Sequence, residues 1–247
     1  MQKIWIAAAT SAAALFANIA HAQTAAQPVL QPQDTWTFRR TTETQPNVWR
    51  QVHFEGTVLR NSASTTLIQN KEVDSPNPPR EILIGSDWSN FRSLSGKETI
   101  VHRPFTFPMS VGKTWDLEFT DDHPNNKSHK SETRKLKYRV VGWEDVEVPA
   151  GKFKALKIEA DGSWSGEIAP RTTASTATQA GAQGTTAVAQ TVNVAAETVT
   201  GRLYQAYWYA PQVKREVKSV EENYDTNGVR NARFTNELES YKVSKTE

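Results

Sequence analysis

The stretch YRVVGWEDVEVPAGKFKALKIEA, residues 138–160, indicates the fold most directly. Before Gly142 and again up to Val148, apolar residues alternate with polar ones, the spacing that places alternate side chains on one face of a β-strand. Pro149-Ala150-Gly151 then supplies turn-forming residues, and a second alternating run extends from Phe153 to Ala160. The stretch therefore predicts consecutive antiparallel strands joined in a hairpin.

Period-two alternation and extended segments recur elsewhere, and turn residues separate them. Asn227-Gly228 is among the strongest short hairpin signals. The other predicted strand segments are 36–38, 115–119, 136–140, 202–209, 213–222 and 230–243. Helical periodicity is scarce. We therefore expect a mainly β fold, with about eight to eleven strands in a single curved antiparallel sheet or a half-open β-barrel.

Residues 1–22 have the three parts of a secretory signal peptide. Lys3 makes the start basic, residues 4–19 carry no charge, and Ala20-His21-Ala22 has the small-x-small pattern at which signal peptidase cuts. A membrane anchor is the alternative, but a bilayer span needs about 20 apolar residues, and polar residues interrupt this segment. No second apolar stretch approaches that length, so we expect export to the periplasm and no membrane segment after cleavage.

Composition narrows the class of protein further. The chain has no Cys, so we expect neither a lipoprotein anchor at the cleavage site nor a disulfide framework. Lys3 is the only charged residue of the signal segment, which leaves 28 of the 29 basic residues beside all 27 acidic ones, a formal net charge of +1. A near-neutral chain lacks the basic footprint of a nucleic-acid-binding protein, and we expect no nucleic-acid partner.

The mature chain has no linker that would divide it into two cores, which favours a single antiparallel β domain over residues 34–247. Residues 23–33 are rich in Gln, Ala and Pro and predict a flexible leader. Residues 170–198 consist almost entirely of Thr, Ala, Gln, Gly, Ser and Val, which predicts a low-complexity loop between two strands. The alternative is that residues 188–194 extend a strand.

Aromatic residues are the candidate ligand-binding residues, because their faces offer large apolar contact areas with a polar edge. Strand alternation places Tyr204, Ala206 and Trp208 on one face and Tyr207 and Tyr209 on the other. The alternative for each aromatic is core packing. The candidates are Tyr204, Tyr207, Trp208, Tyr209, Trp115 and Trp143.

The sequence gives only weak signals for a catalytic or metal-binding site. The loop Asp121–His129 contains metal-ligand types, but its spacing matches no standard site and Lys127 opposes a cation. The run 162–166, GSWSG, has the outline of a hydrolase elbow, but Trp164 occupies the position of the nucleophile. We therefore expect no catalytic residue, no metal and no cofactor.

Three stretches resemble a family of exported proteobacterial β domains of unknown function. They are FPMSVGKTW at 107–115, VEVPAGKFKALKI at 146–158 and YWYAPQVKR at 207–215. The likeness spans residues 107–222, interrupted by the low-complexity segment. The resemblance implies a periplasmic antiparallel β domain, similar to the half-barrel of the lipoprotein-localisation carriers LolA and LolB. It carries over no functional residue.

Three functions remain open at this point. The leading hypothesis is non-enzymatic binding of a hydrophobic or amphipathic, lipid-like envelope ligand in the concave face of the sheet. The alternative is an interaction or scaffold module of the envelope that binds protein or glycan through an exposed strand edge or the Tyr207/Tyr209 face. A hydrolase is the least favoured. Whether the concave face holds an open cavity or a packed core would discriminate best.

Overall fold

The computed structural model describes residues 24–45, 48–181 and 184–245. The predicted signal peptide, residues 1–22, lies outside these ranges. The described chain is mainly β, with no α-helix and one short 3-10 turn at Pro211–Val213. The strands are β1 (Thr35–Gln45), β2 (Val48–Asn61), β3 (Thr65–Glu72), β4 (Arg80–Gly85), β5 (Asn90–Leu94), β6 (Lys97–His102), β7 (Thr114–Asp121), β8 (His129–Val148), β9 (Gly151–Ile168), β10 (Arg171–Gly181), β11 (Gly184–Val194), β12 (Glu197–Ala210), β13 (Arg215–Tyr224) and β14 (Arg230–Lys242).

Ten of these strands form one antiparallel sheet in the order β4-β3-β2-β1-β14-β13-β12-β9-β8-β7. This confirms the predicted mainly β fold and the expected strand number. The sheet is open, with β4 and β7 at its two edges. The first and last strands of the chain pair with each other in its interior, from Thr35 opposite Lys242 to Glu43 opposite Arg233.

The hairpin predicted from residues 138–160 is confirmed as β8 and β9, paired from Val148 opposite Gly151. Gly151 adopts a φ of 124°, a backbone conformation that residues with a Cβ avoid, so the turn requires glycine there. The strand predicted from residue 213 begins two residues later as β13, because Pro211–Val213 forms the 3-10 turn first.

In the ten-stranded sheet, side chains of one parity form the face that we call concave, and the β5–β6 hairpin and residues 103–109 cover it. On β12 this parity comprises Leu203, Gln205, Tyr207 and Tyr209, all of them buried. The largest fully buried side chains of the core are Trp36, Tyr138, Tyr209, Phe38, Phe105 and Met109. Burial of apolar side chains contributes about 1.5–3 kcal/mol each, so this mainly aromatic layer contributes substantially to stability.

Residues 24–33, expected as a flexible leader, instead pack against the domain. Ala25 forms a two-way backbone bridge with Met109, each N–H donating to the other carbonyl at 2.8 Å, and both residues are buried. Leu30 is also buried. Two small apolar anchors thus fix a segment whose Gln- and Pro-rich composition predicts mobility.

The segment expected as a loop at 170–198 is instead a hairpin, β10–β11, paired along its whole length from Arg171 opposite Val194. It continues the β9–β12 ladder, whose last pair is Ile168 opposite Glu197. Thr and Val favour extended backbone, and antiparallel pairing satisfies backbone hydrogen bonds without a core. Low complexity therefore coexists with regular structure in what we call the β10–β11 arm.

Candidate functional site

The concave face is packed in one half and hollow in the other. Under β7–β9 and β12, Phe105 fills the space and contacts Tyr207 and Tyr209 with ring centroids 6.0 and 5.1 Å away. Under β1–β4 and β13–β14 lies a cavity of about 460 Å³. This volume falls within the range of about 300–1,000 Å³ that small-ligand sites occupy.

One wall of the cavity is apolar. Phe54 of β2 stacks on Phe38 of β1, with ring centroids 5.7 Å apart and an interplanar angle of 15°. The apolar lining residues are Phe38, Phe54, Ile68, Ile82, Ile84, Trp88, Val220 and Phe234. Ile82 lies at the rim, with 41% of its surface exposed. A ligand would therefore enter beside edge strand β4.

The polar part of the lining carries two guanidinium groups, which stack on rings of the apolar part. Arg215 lies over the rings of Phe38 and Trp88, with Cζ 4.5 and 4.4 Å from their centroids. Arg40 is exposed at the rim, donates from Nε to Asn236 Oδ1 at 2.8 Å, and has Cζ 4.9 Å from the Phe54 centroid.

Two carboxylates belong to the same part of the lining. Glu216 accepts a hydrogen bond from Arg215 Nη2 at 2.7 Å. Burial raises the pKa of Glu221, although the charges of Arg134 and Arg40 oppose the shift. Desolvation by the surrounding protein lowers the pKa of Arg40, Glu221 counteracts this, and the charge of Arg215 adds to it. Arg40, Arg215 and Glu221 therefore lie within electrostatic range of one another.

A buried hydrogen-bond chain leads from the cavity into the packed half. Asn90 Nδ2 lies 3.2 Å from His102 Nδ1, and His102 Nε2 lies 2.8 Å from the Tyr207 hydroxyl. The Tyr207 and Tyr138 hydroxyls both donate to Gln205 Oε1, at 3.2 and 2.9 Å. One proton arrangement satisfies every member, with His102 neutral, accepting at Nδ1 and donating from Nε2.

Burial controls the ionisation of this chain. It lowers the pKa of His102 from 6.5 to about 4, with a smaller opposing contribution from Glu216. Burial also raises the pKa of Tyr207 well above its usual value. Neutral rings at both positions are therefore favoured near pH 7.

The four aromatic candidates on β12 divide between its two faces as strand alternation predicts, while Trp115 and Trp143 lie on β7 and β8. Tyr207 is buried and lines the cavity. Tyr209 is 1% exposed within the core, and Trp115 stacks on Tyr138 with centroids 5.2 Å apart. Trp143 is half-buried and packs against the core.

Tyr204 and Trp208 lie on the convex face within an ion-pair network. Tyr204 donates to Glu159 at 3.1 Å, and Trp208 Nε1 donates to Glu144 at 2.9 Å. Lys157 pairs with both carboxylates, at 2.8 Å from Glu159 and 3.6 Å from Glu144.

The hypothesis that the Tyr207/Tyr209 face is an exposed interaction surface is wrong. The two side chains are only 6% and 1% exposed, because Phe105 and the β5–β6 hairpin cover them.

The sequence interpretation missed the charged cavity residues. Arg40 has the same strand parity as Trp36 and Phe38, so the alternation of β1 contained a usable signal for an inward-facing charge. His102 and Arg215 carried no such signal, because tertiary structure alone brings them to the same cavity.

The histidines do not form a nucleophilic constellation in the described residues. His102 is the one that lines the cavity, and its ring nitrogens contact Asn90 and Tyr207 rather than a serine. His53 contacts Glu239 at 2.7 Å with both side chains partly exposed, and His129 contacts Glu132 at 3.3 Å. Within the described ranges, no group of three or more potential ligands is placed to hold a metal ion. A helix of membrane-spanning length and hydropathy does not occur in the described part of the chain either.

Comparison with known proteins finds similarity among solved structures. No family model and no curated protein matches the chain. Among solved structures, it is similar to a Bacteroides fragilis protein described as exported with a YmcC-like fold, at 16% identity and a TM-score of 0.44 over 88% of this chain and 99% of that one. It is also similar to a Parabacteroides distasonis protein described as a lipoprotein, at 15% identity and a TM-score of 0.46 over 89% and 100% of the two chains.

Those descriptions belong to the two solved structures and not to this chain. Both organisms are Bacteroidetes, so the comparisons give no support to the proteobacterial assignment or to the likeness to LolA and LolB. Export of this chain stays a prediction from residues 1–22. Neither description names an activity.

Proposed function

We propose that this protein binds a hydrophobic or amphipathic small ligand, without catalysis, in the cavity of its concave face. The observation that carries the proposal is the cavity of about 460 Å³, whose lining combines aliphatic and aromatic side chains with polar and charged ones. Following the export prediction, the ligand is a lipid-like molecule of the bacterial envelope.

The mixed lining supports an amphipathic ligand in particular. Burying apolar ligand surface against Phe54 and Ile68 contributes about 25 cal/mol per Å², while a few polar groups fix the orientation of the ligand. A wall made only of apolar side chains would favour a wholly hydrophobic ligand, and one made only of charges would favour an ion.

Displacement of a neutral fluorescent probe tests the proposal. N-phenyl-1-naphthylamine should gain fluorescence on binding to the purified protein, and dodecyl-chain amphiphiles should displace it. Native mass spectrometry of protein purified from its own compartment should in addition detect a bound small molecule. A protein that carries no ligand and binds neither the probe nor any amphiphile would overturn the proposal.

Neighbouring residues of β4 provide matched variants. Ile82 lines the cavity and Leu83 does not, although both are exposed, at 41% and 55%. Ile82→Trp should fill the mouth of the cavity and weaken probe binding at least about tenfold, the effect of losing about 1.4 kcal/mol. Leu83→Trp adds the same bulk outside the cavity and should leave binding unchanged. Equal effects of the two substitutions would place the binding site elsewhere.

A further inference from the structure

We propose that the ligand is a single-chain amphiphile whose anionic head group, a carboxylate or a phosphate, is held by Arg215 and Arg40. The inference rests on the proposed function and names the chemistry of the ligand. Three features support it: the fixed position of Arg215, its unused donors, and the second guanidinium at the rim.

Three aromatic rings fix the guanidinium of Arg215. Its Cζ lies 4.4 Å from the centroid of Trp88, 4.5 Å from that of Phe38 and 5.4 Å from that of Trp36. Only 14% of the side chain is exposed. Stacking of this kind reduces the rotamer freedom that a flexible arginine would lose on binding an anion.

Most hydrogen-bond donors of Arg215 are unused. A guanidinium has five N–H donors, and within the described residues only Nη2 donates, to Glu216. The Nε atom is buried and has no hydrogen-bond partner. Because protein encloses Nε, the donors that a ligand oxygen in the cavity can reach are the N–H groups of Nη1 and Nη2, one of which donates to Glu216. A planar fork of donors suits carboxylate and phosphate oxygens.

Arg40 adds a second positive charge to the same cavity. Asn236 fixes its Nε at 2.8 Å, while its Nη groups donate to no described residue. Two guanidiniums facing one cavity repel each other, and an anion between them relieves that repulsion.

The two carboxylates of the polar lining leave room for this anion. Glu216 is already paired with Arg215 at 2.7 Å. Glu221 accepts no hydrogen bond from the described residues, and burial raises its pKa although the charges of Arg134 and Arg40 oppose the shift. Apart from the hydrogen bond to Glu216, neither carboxylate occupies the Nη donors of Arg215 and Arg40 within the described residues.

The cavity volume suits a ligand with one alkyl chain. A water molecule in the liquid occupies about 30 Å³, and a methylene group is of similar size. The cavity of about 460 Å³ therefore holds on the order of fifteen such groups. That is one alkyl chain with a small head group.

Four probes of equal chain length test the inference: dodecanoate, dodecyl phosphate, dodecanol and dodecylamine. Their affinities are measured by displacement of N-phenyl-1-naphthylamine from the purified protein. We expect the two anions to bind about tenfold or more tighter than dodecanol, because hydrogen bonds to charged groups are stronger than neutral ones. Dodecylamine should bind most weakly.

Adjacent arginines of β1 provide the matched variants. Arg40→Gln removes the charge at the rim and should reduce the preference for anions over dodecanol severalfold. Arg39 lies on the convex face, paired with Glu237 at 2.8 Å, so Arg39→Gln should leave that preference unchanged. Arg215→Lys keeps the charge but loses the planar fork, and should also reduce the preference.

The outcomes separate this inference from the proposed function. Equal binding of anions and dodecanol, or tightest binding of the amine, would overturn the anionic head group while the binding function stands. Absence of binding by all four probes would overturn both. An anion preference that survives in Arg40→Gln and Arg215→Lys alike would assign the head group to other residues and overturn the inference.

Discussion

Asp34 and Lys214 form an ion pair in the interior of the protein. Lys214 Nζ lies 2.9 Å from Asp34 Oδ2, and the two side chains are 5% and 2% exposed. The Asp34 carboxylate also accepts from the backbone N–H groups of Gln31 and Ser244, at 2.9 and 2.6 Å. One carboxylate thus joins the N-terminal segment, the end of the 3-10 turn and the C-terminal segment.

Asp34→Ala should destabilise the protein by about 3–5 kcal/mol, because it leaves a buried lysine without its counter-charge. Urea unfolding followed by tryptophan fluorescence measures the effect. Glu147→Ala is the control, since its ion pair with Lys152 is 73% and 79% exposed and exposed pairs contribute little. A loss below about 1 kcal/mol for Asp34→Ala would contradict the role assigned to the pair.

His102 makes stability depend on pH. Its pKa falls from 6.5 to about 4 on folding, so between these values the unfolded chain binds more protons than the folded protein. The free energy of unfolding therefore decreases as pH falls from about 6.5 towards 4. The upper limit is about 3 kcal/mol, and the half-buried ring should realise only part of it.

Comparison with His102→Gln isolates this contribution. Glutamine is neutral and retains a donor and an acceptor for Tyr207 and Asn90. Glu221 has the opposite sign of pH dependence, because burial raises its pKa, and it remains in both proteins. Unfolding measured at pH 6.5 and 5 should show a smaller loss of stability in the variant. Equal losses in the two proteins would contradict the prediction.

At the scale of elements, the alternation of apolar and polar residues was sufficient to predict those strands that bury one face. The β8–β9 hairpin was predictable because apolar side chains alternate along both strands and Pro149-Ala150-Gly151 supplies the turn between them. The β10–β11 arm was not, because its pairing is between backbones and needs no apolar face. The packing of residues 24–33 depends on Met109, a partner far away in sequence.

The same reasoning applies to the candidate site. Alternation correctly placed Tyr207 and Tyr209 on one face of β12, and Arg40 could have been placed with Trp36 by the same rule. The sequence could not predict that Phe105 fills one half of the concave face while the other half is hollow. Strand parity gives the direction in which a side chain points, but not how densely the space around it is packed.

The β10–β11 arm should be dispensable for stability. Its strands form a separate two-stranded sheet and pair only with each other. Replacing residues 170–195 by a four-residue turn that contains Asn-Gly shortens the connection between β9 and β12. The loop-closure entropy changes only slowly with loop length, so this shortening should cost little stability. Thermal unfolding should show a change within about 1 kcal/mol. A loss of several kcal/mol would mean that the arm packs on the domain.

For the whole molecule, the pairing of β1 with β14 joins an N-terminal group of strands, β1–β4, to the remaining six strands of the sheet. Leu238 of β14 is fully buried, and Ser244, just beyond β14, accepts from Lys214 at 2.7 Å. The seam therefore contributes backbone hydrogen bonds, core packing and the environment of the buried ion pair.

Truncation after Val229 should abolish folding. It removes β14 and leaves β1 and β13 each with an unpaired edge, which favours aggregation. Circular dichroism and size-exclusion chromatography should show an unfolded or aggregated protein, whereas the arm deletion, a removal of comparable length, should remain monomeric and folded. A soluble, cooperatively unfolding truncation would contradict the importance of the seam.

The pairing of β1 with β14 also determines when the sheet can be completed during biosynthesis. A ribosome adds about 5–20 residues per second, so the 207 residues that separate Thr35 from Lys242 take roughly 10 to 40 s to make. Throughout that interval β1 lacks β14, its final neighbour in the sheet. The N-terminal strands therefore cannot complete their pairing until synthesis is nearly finished. Chaperones that shield the first strand during this delay would decide how much of the protein survives to maturity.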